Sequence, residues 1–258
     1  MNLKLQFPIG LKELATVIGG ELSIDLNNSA ATCVITHIST IDVAGPGSIS
    51  FLANPVYRKF LPKTNASAVV LSAKDATDCP VPAIIAKNPR LALARVLQLC
   101  LTPEQATPTA FIHPTAILGK NVKLGNNVTL GAYCVIGDNC EVGDNTTLMP
   151  NVNVYANTKI GSDCTIHSGT VLGSDGFGYE VDEQGNWMKM LHLGGLIIGN
   201  HVEIGSNTSI DRGMIDNTVI GNWVIIDNLV QIGHNVTIGD HTAIAGCVGI
   251  AGSTVIGK

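Results

Sequence analysis

From Leu118 onward an aliphatic side chain stands at every sixth position: Leu124, Leu130, Ile136, Val142, Leu148, Val154, Ile160, Ile166 and Leu172. The repeat resumes at Ile198, Ile204 and Ile210, slips by four residues, and runs on through Ile220, Ile226, Ile232, Ile238, Ile244, Ile250 and Ile256. Glycine often follows directly, as at Gly119, Gly125, Gly131, Gly137 and Gly143. Two residues ahead of the aliphatic position stands Val, Thr, Cys, Ala or Leu, for example Val122, Cys134, Cys140, Thr146, Cys164, Val224 and Val248. A period of six matches neither the helical 3.6 nor the strand period of two; it is the hexapeptide period of a parallel β-helix. Each hexad predicts a short strand and a tight corner. The aliphatic side chain and the small residue two before it point inward, and Gly and Asn occupy corners that need positive φ. Three hexads close one triangular coil of about 18 residues, and stacked coils bury a continuous aliphatic column.

The repeat breaks twice. Between Leu172 and Ile198 the chain inserts "GSDGFGYEVDEQGNWMKMLHLGG", which carries Phe177, Tyr179 and Trp187 in a region otherwise almost free of rings. This reads either as a disordered surface excursion or as a loop folding over a neighbour or a substrate. The second break, from Met214 to Val219, reads as a corner with a bulge.

Residues 1 to about 100 follow another pattern. "IGLKELATVIGGEL" has apolar residues at helical spacing, with Gly19 and Gly20 as the stop. "ASAVVLSA" and "PAIIAK" predict buried strands, and "NPRLALARVLQLC" predicts a closing helix. Proline and threonine in "LTPEQATPTAFIHP" mark a linker. The expected architecture is an α/β domain over residues 1–105, followed by an all-β solenoid over 106–258.

Composition narrows the function. With 258 residues and 45% hydrophobic content the chain can bury a substantial core, and 4% aromatic content suits a narrow prism without room for rings. A net charge of -5 argues against general nucleic-acid binding. Neither a membrane span nor a signal peptide is evident, which gives the expectation of a soluble, cytoplasmic protein. Seven cysteines without a CxxC pair read as small buried hydrophobes, with neither disulfides nor a zinc site.

The solenoid pattern resembles the acyltransferases with a left-handed β-helix. More specific are "SISFLANPVYRKFL", "DGFGY", "IDRG" and "IIDNLVQIGHNVTIGD". Together they resemble the UDP-3-O-(3-hydroxyacyl)glucosamine N-acyltransferase family, whose members add the second acyl chain in lipid A synthesis of Gram-negative bacteria. The resemblance spans essentially the whole chain. It implies left-handedness, a homotrimer, an acyl carrier protein bearing phosphopantetheine as acyl donor, a UDP-sugar acceptor, and no other cofactor. It also implies further coils, a second histidine near the active site and a C-terminal helical segment, whereas this sequence stops mid-repeat at "STVIGK" without a polar cap. A shortened chain, or an end covered by another element, is the expectation there.

Candidate chemistry centres on His234. It stands two residues after Ile232, at an outward corner, and the same count from Ile250 gives Gly252, so the two should stack about 5 Å apart. The implied reaction needs a base for the amine proton and a donor for the oxyanion. His234 takes the first role and the Gly252 N–H the second, glycine letting the thioester approach closely. Asp227 and Asn228 lie on the adjoining corner. A trimer would bring them against a neighbour's His234, with Asp227 orienting the imidazole and Asn228 binding substrate; as a bare "DN" pair they read equally as turn formers. His113, His167, His192, His201 and His241 offer no strong case for chemistry. The family's uridine site carries over to Phe51, Asn54 and Tyr57, two rings and an amide suited to a pyrimidine; without the resemblance they read as core aromatics at a strand-to-helix junction.

Three other readings stand beside this one. A sister sugar O-acyltransferase shares the prism but is disfavoured by the separate N-terminal domain. A β-helical carbonic anhydrase needs three metal-binding histidines, and His234 and His241 are out of phase for shared ligation. A non-catalytic assembly scaffold would tolerate loss of His234.

Overall fold

The computed structural model describes residues 3–23, 33–101 and 110–258. The chain divides into two compact units, Met1–Thr107 and Pro108–Lys258. Most of the linker expected from the sequence, and the expected boundary at 105, fall on 102–109, outside the described residues.

The first unit contains β1 (Leu3–Gly10), α1 (Leu11–Ile18), β2 (Glu21–Leu22), β3 (Val34–Ile38), β4 (Ser48–Phe51), β5 (Ala68–Leu71), β6 (Ala83–Ile85) and α2 (Pro89–Gln98). Among the described residues these strands form one sheet in the order β1-β3-β4-β5-β6-β2. Strands β3 to β6 run parallel, and β1 and β2 close the edges antiparallel. Helix α1 buries Leu11, Leu14, Ala15 and Ile18 at helical spacing. It ends at Gly19, whose φ of +70° lets the chain turn left-handed and return two amides to the last turn. Helix α2 starts where Asn88 Oδ1 accepts from the Arg90 and Leu91 amides, both at 3.1 Å. All of β5 is buried, as its continuous apolar run requires.

The second unit is a left-handed parallel β-helix. Among the described residues, three sheets of seven short strands each form its faces. Successive coils pair like with like: Leu130 with Leu148 on the first face, Ile136 with Val154 on the second, Val142 with Ile160 on the third. The aliphatic column and the small residues two ahead, such as Cys134, Cys140, Thr146 and Cys164, are buried together. Two inward threonines return their hydroxyls to carbonyls, Thr146 to Gly161 at 2.8 Å and Thr208 to Asp227 at 2.9 Å, whereas Thr158 Oγ1 is buried without a partner. All seven cysteines are unpaired, and burial raises the pKa of Cys134, Cys140 and Cys164.

The corner residues divide their work differently from expectation. Positive φ belongs to the third residue after the aliphatic position, most often asparagine, as at Asn121, Asn139 and Asn157, but also residues such as Tyr133, Trp223 and Leu229. Gly119, Gly125, Gly131, Gly137 and Gly143 do not have positive φ. They are glycine because the next coil is too near: a Cβ on Gly137 would stand 2.5 Å from the Ala156 amide nitrogen.

Both breaks in the repeat fall on one corner. The insertion leaves after the second-face strand Val171–Ser174 and re-enters at the third-face strand Leu196–Ile198. Residues 212–217 bulge between Ser209–Asp211 and Thr218–Ile220, again from second face to third. His234 occupies this same corner one coil later, between Gln231–Ile232 and Thr237–Ile238. The insertion is an ordered antiparallel hairpin, with Tyr179 opposite Lys189 and Val181 opposite Trp187. Its rings point outward, Phe177 and Trp187 being 87% and 73% exposed.

Candidate active site

His234 and Gly252 lie one above the other, as the hexad count predicts. Ile232 pairs with Ile250, and the Ser253 amide donates to the His234 carbonyl at 2.8 Å. A Cβ on Gly252 would stand 2.7 Å from His234 Nε2 and 2.9 Å from Cε1, so only glycine leaves room for the ring. Among the described residues the Gly252 N–H has no protein acceptor.

The hydrogen bonds of Asn235 fix the tautomer of the neutral His234 ring. Its Oδ1 accepts from the Met214 amide at 2.9 Å, and its Nδ2 donates to the Asp216 carbonyl at 3.3 Å. The amide orientation is thereby fixed, and the same Oδ1 lies 3.0 Å from His234 Nδ1. An oxygen can only accept, so Nδ1 carries a proton, and in the neutral ring the lone pair is therefore on Nε2. Gly252 lies against the face of the ring at Nε2. The 212–217 bulge thus has a function: it supplies the backbone groups that orient Asn235.

The insertion closes the other side. A Cβ on Gly176, in "DGFGY", would stand 3.0 Å from His234 Cβ and Cδ2 and 2.9 Å from His192 Nε2. The His192 ring, 3% exposed, meets the His234 ring in a T-shaped contact with centroids 5.0 Å apart and planes at 68°. Asp211, from "IDRG", accepts from Ser174 Oγ at 2.9 Å and from Gln231 Nε2 at 3.1 Å. Burial pushes the Asp211 pKa up, opposed by these hydrogen bonds. Arg212 anchors the bulge through Nη2 to the Ala156 carbonyl. In the insertion Lys189 Nζ meets Asp175 at 2.5 Å, which holds the Asp175 carboxyl below its usual range.

Asn235, Asp211, Gly176 and His192 were not singled out from the sequence. The signal was present: counting hexads in threes places both repeat breaks and His234 on one edge.

Asp227 and Asn228 sit on the preceding corner, between Ile225–Ile226 and Gln231–Ile232, and do not join His234 within this chain. Asn228 Oδ1 accepts from the Ser206 amide at 2.6 Å, and Asp227 Oδ1 accepts from the Asn228 amide at 2.8 Å. Both line an open groove of about 640 Å³ with His167 and Glu203. In the first unit, Phe51 packs against the α/β core. Asn54 Oδ1 caps the 3₁₀ helix Pro55–Lys63 by accepting from the Val56 amide at 3.1 Å, which leaves its Nδ2 free to donate. Tyr57 is 48% exposed and faces Phe60, with centroids 6.4 Å apart; among the described residues no ring contact joins it to Phe51. Arg58 follows, paired with Asp75 at 3.2 Å beside a cleft that also contains Lys74. The described residues contain no cluster of three metal-ligating side chains and no helix long and apolar enough to cross a membrane.

Comparison with known proteins places this arrangement. Residues 32–99 match the family of UDP-3-O-(3-hydroxymyristoyl) glucosamine N-acyltransferase, LpxD, and residues 139–174 match the bacterial transferase hexapeptide family. The UDP-3-O-acylglucosamine N-acyltransferase of Coxiella burnetii is 45% identical over 261 residues, covering 95% of this chain and 75% of that one. Its counterpart from Shewanella oneidensis is 55% identical over 236 residues, covering 85% of this chain and 67% of that one. Among solved structures, the Francisella novicida UDP-N-acetylglucosamine acyltransferase aligns with a TM-score of 0.51 and 28% identity, over 57% of this chain and 52% of that one. The chain belongs to the UDP-3-O-acylglucosamine N-acyltransferase family.

Proposed function

We propose that this protein transfers a 3-hydroxyacyl chain from the phosphopantetheine thioester of acyl carrier protein to the 2-amine of UDP-3-O-acylglucosamine. The observation that carries the reading is His234 Nε2 beside the Gly252 backbone, with Nδ1 committed to Asn235. The amine attacks the thioester carbonyl; His234 Nε2 takes its proton, and the Gly252 N–H donates to the developing oxyanion. As the tetrahedral intermediate collapses, the C–S bond breaks and the imidazolium proton leaves with the thiolate. A general base of this kind contributes about 10²–10⁴ in rate and one oxyanion donor about 10²–10³. No other cofactor has a role in this scheme.

Phe51, Asn54 and Tyr57 bind the uridine in this reading, with the free Asn54 amide as the hydrogen-bonding group. Homotrimer formation brings the Asp227–Asn228 corner of one copy to His234 of the next; the groove beside that corner supports such an interface. There Asp227 helps to orient the imidazole and Asn228 binds substrate.

The test is acyl transfer from 3-hydroxyacyl carrier protein to UDP-3-O-acylglucosamine, by the parent and by His234→Ala. Loss of at least about 10²-fold in the variant is expected. A parent that binds substrate without transferring the chain, or an equally active variant, would overturn the assignment.

A further inference from the structure

Resting on that reading, we propose that His192 is a positioning residue for the general base: a buried imidazole with uncommitted nitrogens that stabilises His234 as it becomes a cation. Three observations carry this. The first is contact, since the two rings meet edge to face at 5.0 Å on the side of His234 that the insertion covers.

The second is the effort spent to place the ring. His192 stands at the end of the insertion, ahead of the strand Leu196–Ile198, where nothing in the solenoid requires an imidazole. The backbones of Gly176 and Gly178 both fold against it; a Cβ on either would stand 2.9 Å from its ring. The two glycines of "DGFGY" are therefore the cradle of this histidine.

The third is that neither ring nitrogen has a hydrogen-bond partner, although the residue is 3% exposed. Each buried polar atom left unpaired costs about 1–3 kcal/mol, so His192 is not there to bond the fold together. A phenyl ring would fill similar space without that cost. What the nitrogens retain is freedom of tautomer. A neutral imidazole bonded on neither side can carry its proton on either nitrogen. When His234 takes the amine proton, the His192 tautomer with its lone pair toward the new charge is favoured, and no other bond has to break. The charged groups around the pair are Asp211, Arg212, Asp175 and Lys189. Asp211 is bonded to Ser174 and Gln231, Arg212 to the Ala156 carbonyl, and Asp175 and Lys189 to each other. Arg212 Nε is also buried without a partner, but it can only donate; His192 is the uncommitted group that can offer a lone pair.

Two substitutions separate this role from packing. His192→Phe keeps a ring and removes both nitrogens; His192→Gln keeps an amide dipole. For His192→Phe, kcat should fall about tenfold with KM within threefold, by analogy with the lower end of the effect seen when outer-shell partners of metal-ligating histidines are lost. Its melting temperature should stay level or rise, because two unpaired nitrogens have gone. His192→Gln should recover at least threefold of the lost kcat. A His192→Phe enzyme as active as the parent would reduce the residue to packing, and a raised KM at unchanged kcat would make it a substrate contact; either result overturns the proposal.

A readout without substrate keeps this test separate from the functional reading. Diethyl pyrocarbonate acylates a histidine when the nitrogen lone pair attacks its carbonyl and ethyl carbonate leaves, so positive charge builds on the same ring. Peptide mapping of the rate at His234 should show a severalfold decrease in His192→Phe and near-parent reactivity in His192→Gln. Equal rates in all three proteins would sink the proposal. A parent that fails to transfer acyl chains while this rate pattern holds would instead sink the functional reading.

Discussion

In the early coils, the corner between the second and third faces carries Asn121, Asn139 and Asn157, each amide bonded to the next at 3.1 and 3.4 Å. Three coils beyond Asn157, Asn235 occupies the equivalent position with the same left-handed backbone, φ +59° against +58° at Asn139. Its amide is turned to other partners: Met214, Asp216 and His234. The local conformation is unchanged. The neighbouring coil differs, since the bulge at 212–217 breaks the ladder and offers backbone groups in its place. One repeat position thus serves stacking in the early coils and orientation of the His234 ring in the later ones.

Substituting both asparagines should separate these roles most widely. Asn235→Ala is expected to lower kcat/KM by about 10³, because the imidazole loses the acceptor that fixes its tautomer. Asn139→Ala should leave turnover intact and cost about 1 kcal/mol in denaturant unfolding, for a lost ladder bond and a left-handed site without asparagine. Equal loss of activity in both would erase the distinction.

The corner glycines give the next contrast. A Cβ at 252 meets only the end of the His234 side chain. Gly252→Ala should fold normally and lose about 10² in kcat through a displaced ring. A Cβ at 137 meets the backbone of the next coil, so Gly137→Ala should cost about 3 kcal/mol in stability while the folded fraction keeps parental turnover.

The smallest effect is expected in the insertion. Asp175 is held below the usual carboxylate range chiefly by its hydrogen bond to Lys189, and Lys189 is raised chiefly by Asp175. The lowered carboxyl contributes stability above its unfolded pKa and loses it as pH falls through the folded one. The raised ammonium contributes below its unfolded pKa and loses it as pH rises through the folded one. The melting difference between parent and Asp175→Asn should therefore be small and flat around neutrality and close at both extremes, as suits an exposed pair. A difference that grows with acid would show that the pair does not tether the hairpin.

The sequence was most legible where structure is periodic. Leu130, Ile136 and Leu148 could be placed inward, and Gly252 under His234, because every coil repeats the last and position follows from counting. In the α/β unit, Gly19 and Asn88 mark helix ends through local chemistry that needs no tertiary knowledge. The role of the corner glycines was misread: φ is a local property, whereas the approach of the next coil is not. His192 was passed over for a related reason, since it lies in the insertion, where counting gives no position.

The sequence alone determined the hexad solenoid, its inward column, the stacking of His234 on Gly252 and the family, because these depend on period and on local motifs. Only the tertiary structure decided that both breaks in the period converge on the corner of His234, that Asn235 turns away from its ladder to fix a tautomer, and that a buried histidine from the insertion meets the His234 ring. The reason is physical: period propagates along the chain, whereas the packing of an aperiodic segment depends on which surfaces it meets when it folds back.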